Sequence, residues 1–408
     1  MKRRWPPQTC LVVAAAVLTS GCDRTPPEPA ITLVIAGQAL IKEDPRQYRE
    51  APFGTLRPIL RAADVAFTNF EMAVRSDADA CGLPDEYEVV LGGPRLTSEQ
   101  RPGNSSRPHA VEASVMEFLA TLGFNLMSIA NNHAWDLGDC GVAATRAAAD
   151  KYGITYAGAG GDMTAATAPA YLTVNGVTFG LVAATTSHDE RDAILHAVNG
   201  VWTGRQDDRD RNLAAVRDAA SRADFVIYYH HFQIDVEEFD SIAPGEATND
   251  GHVWVEDVAG WQTDFARAVV DAGASIYVGH GHRGFDGIEI YKGRPLIRQL
   301  GGLAYQGLNP EIGAYDRYRP WEGLLVTLTI RDAAVVRIEF TPLHLDEGET
   351  YRSDYDVEGF LARRGLAEIA TGDLADTILL RLRTLSADYG TELTVANQRA
   401  VLELEVGG

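Results

Sequence analysis

Residues that could bind a metal ion follow four apolar stretches of the chain. In chain order these ends read Asn69-Phe70-Glu71, Asn131-Asn132-His133, His230-His231 and His280-Gly281-His282. Each apolar stretch predicts a buried strand, and in open α/β sheets ligands bind at the carboxyl ends of the strands. Neutral imidazole combined with carboxylate and amide oxygens suits Mn, Fe or Zn rather than Ca. The pattern predicts one divalent metal site.

Each of these residues also has an ordinary structural interpretation. A single histidine on a strand is usually a core or surface residue, and His109 carries no other signal. Glu71 could be an ion-pair partner, and Asn131 and Asn132 could close a turn. The coincidence of four strand ends favours one site, in which we expect six side chains to converge. They are Glu71, Asn132, His133, His230, His231 and His280.

His133 is the candidate general acid, because a histidine beside a leaving group can donate a proton. Asp136, three residues further along, could orient that imidazole. It could equally cap the helix that is expected from about Gly138. The residues alone leave both roles of Asp136 open.

Strands and helices alternate through the body of the chain, which predicts an α/β fold with a mostly parallel sheet in the first half. The predicted strands are 31–37, 64–71, 124–130, 224–229 and 275–279, and the predicted helices are 111–122, 141–152, 206–222 and 258–272. Turn pairs at Asn175-Gly176, Lys292-Gly293 and Arg331-Asp332 predict hairpins. Residues beyond about Asp354 are predicted to be helical.

The first 22 residues have the pattern of a bacterial lipoprotein signal. A basic start and an apolar stretch at 10–18 precede small residues and Cys22. Thr19 stands where that signal usually has leucine, and an ordinary cleaved signal with an incidental cysteine is the alternative. Residues 23–30 contain three prolines and are typical of a tether. We therefore expect an exported protein that is lipid-anchored to the cell envelope through Cys22.

Composition limits the remaining classes of function. The chain has 408 residues, 46% of them hydrophobic, which allows a sizeable core. Its net charge of −21 argues against a nucleic-acid partner, because phosphate recognition needs a positive surface. Cys81 and Cys140 are the two cysteines left after the signal, and in an oxidising compartment they could form a disulfide or remain as two free thiols.

Several short blocks together resemble the CapA-like proteins of poly-gamma-glutamate capsule synthesis, relatives of the calcineurin-like metallophosphoesterases. The blocks are Ile35-Ala36-Gly37, Asn69-Phe70-Glu71, Leu122-Gly123-Phe124, 130–138, Gly158-Ala159-Gly160, 271–274, Gly279-His280 and 287–291. The resemblance runs from about Ile31 to Gln306. It implies a four-layer αββα sandwich over 31–345, with a metal site at the strand ends. After Gly287 the turn pairs predict antiparallel strands, and residues 346–408 would form a helical C-terminal extension.

The resemblance also implies roles for single residues. Glu71 matches the bridging carboxylate, Asn132 the metal-bound amide and His133 the histidine that stabilises or protonates the reacting group. Histidine ligands are matched by His230 or His231, and by His280.

Two positions depart from the family pattern. Gln38 stands where the family commonly has aspartate, and His282 matches the last histidine ligand only with a shift of one residue. An amide is a weaker metal ligand than a carboxylate. The family pattern therefore leaves three alternatives, a metal site that is altered, one that holds a single ion, or one that is lost, and we expect one ion rather than two.

Two classes of function follow. The first is a cell-surface protein of capsule or exopolymer synthesis or export, which handles an anionic polymer through a degenerate metal site. The second is a metal-dependent phosphoester hydrolase. Gln38 favours the first class, and the histidine cluster favours the second.

Overall fold

A computed structural model describes residues 30–76, 109–187, 197–202, 205–233, 258–281, 284–306, 321–346 and 361–404. The strands in these ranges are β1 (Ile31–Leu40), β2 (Val65–Phe70), β3 (Ala73–Val74), β4 (Ala110–Val111), β5 (Leu126–Ser128), β6 (Thr155–Ala157), β7 (Ala170–Val174), β8 (Val177–Ser187), β9 (Phe225–Gln233), β10 (Ile276–His280), β11 (Ile288–Tyr291), β12 (Arg294–Ile297), β13 (Gly302–Tyr305), β14 (Glu322–Arg331), β15 (Ala334–Leu345), β16 (Ala367–Ile369), β17 (Thr394–Ala396) and β18 (Arg399–Glu403). The helices are α1 (Arg57–Ala62), α2 (Ala113–Leu122), α3 (Gly138–Lys151), α4 (Met163–Thr167), α5 (Gln206–Ala220), α6 (Val258–Asp271) and α7 (Gly372–Ala387), with a 3-10 turn at Pro45–Gln47.

The α/β prediction is confirmed, and the strands form two large sheets. In the first, β1, β2, β5 and β6 are parallel neighbours, and β14 and β15 continue the sheet antiparallel on the other side of β1. In the second, β8, β9, β10 and β12 are parallel, with β7 and β11 antiparallel at the edges. The parallel strands β2 and β9 are buried along almost their whole length, as expected where both faces of a sheet are covered.

The two sheets share one hydrophobic core, and the second sheet has another behind it. Phe67 of β2 packs on Tyr229 of β9, with ring centroids 5.4 Å apart, so the sheets face each other. On the far side of the second sheet, Tyr228 packs against Phe265 of α6. Residues alternate along β9 between these two cores, which decides where its histidines point.

The predicted strand at 224–229 is longer than expected. β9 continues to Gln233 because it pairs with β8 over its whole length and with β10 up to His231. His230 and His231 therefore lie inside the strand, in successive positions, and not beyond its end.

The region beyond 346 is not only helical, which corrects the expectation for the C-terminal extension. Besides α7, its described residues form β16, β17 and β18, and two of these strands cover the outer edge of β15. The hairpin between β17 and β18 turns at Asn397 and Gln398, both with positive φ. No glycine marks this turn in the sequence, so the usual hairpin signal is missing.

Helix α7 contacts both sheets. Ser386 accepts a hydrogen bond from the Ile288 N–H of the second sheet at 3.1 Å, and Arg381 forms an ion pair with Glu322 of the first. Gly287 lies so close to α7 that an added Cβ would be 2.3 Å from the Leu385 carbonyl oxygen. Across the described part of the chain, we find no helix long and apolar enough to cross a membrane.

Candidate functional site

The loop after β5 is fixed to the end of β2 by Asn131. Its Nδ2 donates to Asn69 Oδ1 at 3.1 Å and to the Phe70 carbonyl oxygen at 2.8 Å. Its Oδ1 accepts the His133 N–H at 3.0 Å. Asn131 therefore closes the turn, and the turn presents Asn132 and His133 beside the strand ends.

Asp136 orients the His133 ring. The His133 Nδ1 lies 2.9 Å from Asp136 Oδ2, and the same oxygen accepts the backbone N–H of His109 at 2.5 Å. Helix α3 instead begins after Leu137, with no side-chain cap. The structure thus shows the orienting contact and not the capping one.

The contact with Asp136 also sets the charge preference of His133. Burial is the largest single effect and lowers the pKa of the imidazole, but the carboxylates of Asp136 and Glu71 together raise it, and the net pKa lies above its usual value. The Lys42 ammonium opposes this rise. With Nδ1 facing Asp136, the other nitrogen, Nε2, lies 3.2 Å from Asn132 Nδ2 and is the one that can serve a reacting group.

His231 and His280 form the second-sheet half of the site. They are register partners on β9 and β10, both fully buried. Neither ring makes a hydrogen bond to the described residues. Burial lowers the pKa of His280 to about 3, and burial with the nearby His133 lowers that of His231 well below its usual value. Both imidazoles are therefore neutral, which is the form that ligates metals.

Glu71 joins the two halves. This buried carboxylate follows β2 of the first sheet, and its Oε1 lies 4.0 Å from His231 Nε2 of the second. Gln38, also buried, pairs in register with Asn69 and has no hydrogen-bond partner for its Oε1 among the described residues. Five of the predicted residues and Gln38 thus lie at the facing ends of the two sheets.

His230 is not part of this cluster, although we expected it there. As the neighbour of His231 on a strand, it points to the opposite face of the second sheet. Its Nε2 lies 2.8 Å from Thr186 Oγ1 and its Nδ1 lies 2.6 Å from the Tyr277 hydroxyl. With both nitrogens bonded and a pKa lowered by burial to about 3, His230 is a neutral structural residue.

Three predicted residues lie outside the described ranges. They are His282, Cys22 and Cys81. Cys140, on α3, is disulfide-bonded.

Two residues at the site were not expected. The ring of His109 packs edge-on against His133, with centroids 4.0 Å apart, and its Nδ1 lies 2.7 Å from Lys42 Nζ. Lys42 is buried two residues after β1, and it is one of only four lysines in the chain. A rare lysine a few residues after the predicted strand 31–37 is a signal that could have found it.

The unpartnered atoms of the site are of the chemical kinds that bind divalent cations. Several buried polar atoms at the site have no partner among the described residues: Gln38 Oε1, Asn132 Oδ1, Asp136 Oδ1 and the ring nitrogens of His231 and His280. Leaving one such atom unsatisfied costs about 1–3 kcal/mol, so their concentration at one place indicates a ligand. Within the described ranges, no three His, Cys, Asp or Glu side chains are grouped closely enough to hold a metal.

A family model described as "Bacterial capsule synthesis protein PGA_cap" matches residues 32–307. That range holds the strand ends from Gln38 to His280 that form the cluster. The chain belongs to this capsule-synthesis family.

Similar proteins from several bacteria agree with this membership. "Uncharacterized protein y4sH" of Sinorhizobium fredii is 25% identical and covers 94% of this chain and 95% of its own. "PGA biosynthesis protein CapA" of Bacillus subtilis is 25% identical over 77% of this chain and 70% of its own. "Probable polyglutamine synthesis accessory protein MT0602" of Mycobacterium tuberculosis is 28% identical over 74% and 72%. The similarity to the capsule-synthesis proteins thus extends over most of each chain.

Proposed function

We propose that this chain acts in the synthesis or export of an anionic capsular polymer of the poly-gamma-glutamate type. The names of its Bacillus and Mycobacterium relatives support this role. The observation that carries the proposal is the 4.0 Å approach of Glu71 to His231, because it joins ligands from two sheets into one buried cluster. An anionic polymer end is the natural ligand for a cation held there.

The proposal includes the fold type of the metallophosphoesterases. Two sheets that face each other across one core, with α5 and α6 behind the second, support a four-layer αββα arrangement. In that arrangement the ends of β1, β2, β9 and β10 lie at one edge of the sandwich. The residues of the cluster come from those ends.

Glu71, Asn132, His231 and His280 would hold the metal, and their side chains would have to close around it, because in the described structure they are not grouped tightly enough. By the chemistry of these donors the metal is Mn, Fe or Zn. A divalent ion bound there supplies a Lewis acid for an anionic oxygen. Gln38 contributes an oxygen but no charge, so we propose one tightly held ion and not two. Asn132 has a second task, because its amide also contacts His133.

His133 is the residue that would hold or donate a proton. Its raised pKa favours the protonated ring, and Asp136 at Nδ1 leaves Nε2 as the nitrogen that faces the site. This pair supports a second candidate function, phosphoester hydrolysis, because a leaving oxygen needs a proton donor. Buried Lys42 adds a positive charge beside the pair, which suits an anionic substrate.

Metal analysis of the purified protein without its first 22 residues tests the proposal. We expect about one Mn, Fe or Zn per chain and weak or absent phosphodiesterase activity. Two tightly bound ions with strong hydrolysis, abolished in a His133→Ala variant, would favour the hydrolase. No bound metal at any concentration tested would contradict the metal site in both candidates.

We also propose that the protein is exported and anchored to the cell envelope by a lipid on Cys22. The signal-like N-terminal sequence supports this. An envelope location would place the cluster where a capsular polymer passes.

A further inference from the structure

Three residues lie side by side across the second sheet, level with the cluster. Thr185 of β8 pairs in register with His231 of β9, which pairs with His280 of β10. Register partners on parallel strands point to the same face, here the face toward the first sheet. The Thr185 side chain is fully buried, and its hydroxyl has no hydrogen-bond partner in the described part of the chain.

A second unpartnered hydroxyl lies one step further along the same face. Tyr229 precedes His231 by two residues on β9, so both side chains point the same way. Its ring lies between Phe67 and His280, with centroids 5.4 Å and 5.3 Å away. The tyrosine is fully buried, and its hydroxyl makes no hydrogen bond to any described residue.

The first sheet offers one more unused donor. Asn69 is fully buried; its Oδ1 accepts from Asn131, but its Nδ2 has no acceptor among the described residues. Asn69 is the register partner of Gln38 at the end of β1. Each sheet therefore contributes hydrogen-bond donors at the level of the cluster, in addition to the atoms that suit a cation.

These donors require a different ligand from the one that the acceptors require. Imidazole nitrogens and amide oxygens offer lone pairs to a cation, whereas a neutral hydroxyl or an amide N–H needs an oxygen that accepts. Leaving such donors buried and unsatisfied is costly. An oxyanion beside the cation would satisfy both sets at once, and hydrogen bonds to a charged oxygen are the stronger kind.

We propose that Thr185 and Tyr229, assisted by Asn69, bind the oxygens of an anionic group, a phosphoryl or a carboxylate, between the two sheets. This inference rests on the proposed function, since it names the groups that would hold the substrate's charge. It assigns the hydroxyls to the anion and the imidazoles to the cation.

The experiment uses two nearly isosteric variants, Thr185→Val and Tyr229→Phe. Inorganic phosphate and free glutamate are the probes, and their affinities are measured by calorimetry with and without added Mn or Zn. Asn69 is left unchanged because its oxygen fixes Asn131. Tyr171→Phe is the matched control, because the Tyr171 hydroxyl is also buried without a partner in the described chain but lies on β7, at the edge of the sheet.

We expect each variant to bind the anion about 10-fold to 100-fold more weakly, the effect of one lost hydrogen bond to a charged group. The metal affinity of each variant should differ from that of the unmodified protein by less than about twofold. Without anion, the melting temperature should stay the same or rise, because a costly buried hydroxyl is gone. The Tyr171→Phe control should leave anion affinity unchanged.

The two probes distinguish the kinds of anion. A loss of affinity for phosphate alone assigns a phosphoryl ligand, and a loss for glutamate alone assigns a carboxylate. A loss of affinity for both supports the shared site.

Three results would overturn the inference. They are unchanged anion affinity in both variants, a lower melting temperature without anion, and an unmodified protein that binds neither probe. Failure of the metal proposal is distinct, because it appears as no bound metal while phosphate or glutamate affinity remains measurable.

Discussion

His230 and His231 are adjacent in the sequence but face opposite sides of the second sheet. Both ring nitrogens of His230 are within hydrogen-bond distance of Thr186 and Tyr277, whereas those of His231 have no such partner in the described structure and face Glu71. His230 thus links β9 to its neighbours β8 and β10, whereas His231 is available to a ligand.

This division predicts opposite phenotypes for two matched variants. His230→Ala should lower the free energy of unfolding by about 2–4 kcal/mol, because it removes two buried hydrogen bonds and leaves their partners unsatisfied. His231→Ala should cost less stability but abolish metal binding. Urea denaturation and metal titration of both proteins measure this. Equal loss of stability in the two variants would contradict the assignment.

Gln38→Asp should raise metal affinity by about tenfold or more, because a carboxylate attracts a divalent ion far more strongly than an amide does in a buried site. Gln38→Asn, which brings no charge, is the matched control and should bind no more tightly than the unmodified protein. The measurement is metal stoichiometry and affinity by titration. No gain in the aspartate variant would show that Gln38 does not touch the metal.

Asp136→Asn should lower the pKa of His133, because burial still opposes protonation while the carboxylate that raises the pKa is gone. The raised pKa of the unmodified protein means that protonated His133 stabilises the fold at pH values below the unfolded-state pKa. This contribution disappears as the pH rises through the folded-state value. NMR titration of the His133 ring checks the shift. A pKa that does not move would mean that Asp136 has only a structural role.

Cys22→Ala should release the protein from the membrane fraction. The physical reason is that the basic start, the apolar stretch and the small residues before Cys22 would no longer lead to a lipidated cysteine. Cell fractionation with immunoblotting measures it, and Cys10→Ala, within the apolar stretch, is the control. If the Cys22 variant remains on the membrane, the anchor lies elsewhere.

Local patterns predicted much of the fold. The apolar stretches at 31–37 and 275–279 are strands, and Asn175-Gly176 and Lys292-Gly293 are tight turns with positive φ at all four residues. These signals depend on neighbouring residues only, so they can be read without knowledge of the fold. The two-sheet arrangement depends on contacts between distant strands, so local patterns could not show it, and only the family resemblance implied it.

The same limit applies to the site. The predicted strand ended at Tyr229, so the prediction could not show that the side chains of His230 and His231 point to opposite faces. The rest of the strand is defined by its pairing with β8, which the local sequence does not reveal. Lys42 and His109 are 67 residues apart and meet only through the fold. Glu71 was found because it lies at the end of an apolar stretch, where a local signal exists, whereas Gln38 was found only from its place in the family pattern.

The contacts of α7 with both sheets have a consequence for ligand geometry. Glu71 belongs to one sheet and His231 to the other, so the distance between these two ligands depends on how far apart the sheets lie. Arg381 and Ser386 attach α7 to Glu322 on one side of that gap and to Ile288 on the other. Helix α7 lies about 300 residues from Glu71 in the chain and contributes no ligand. It nevertheless helps to set the distance between the two ligands Glu71 and His231.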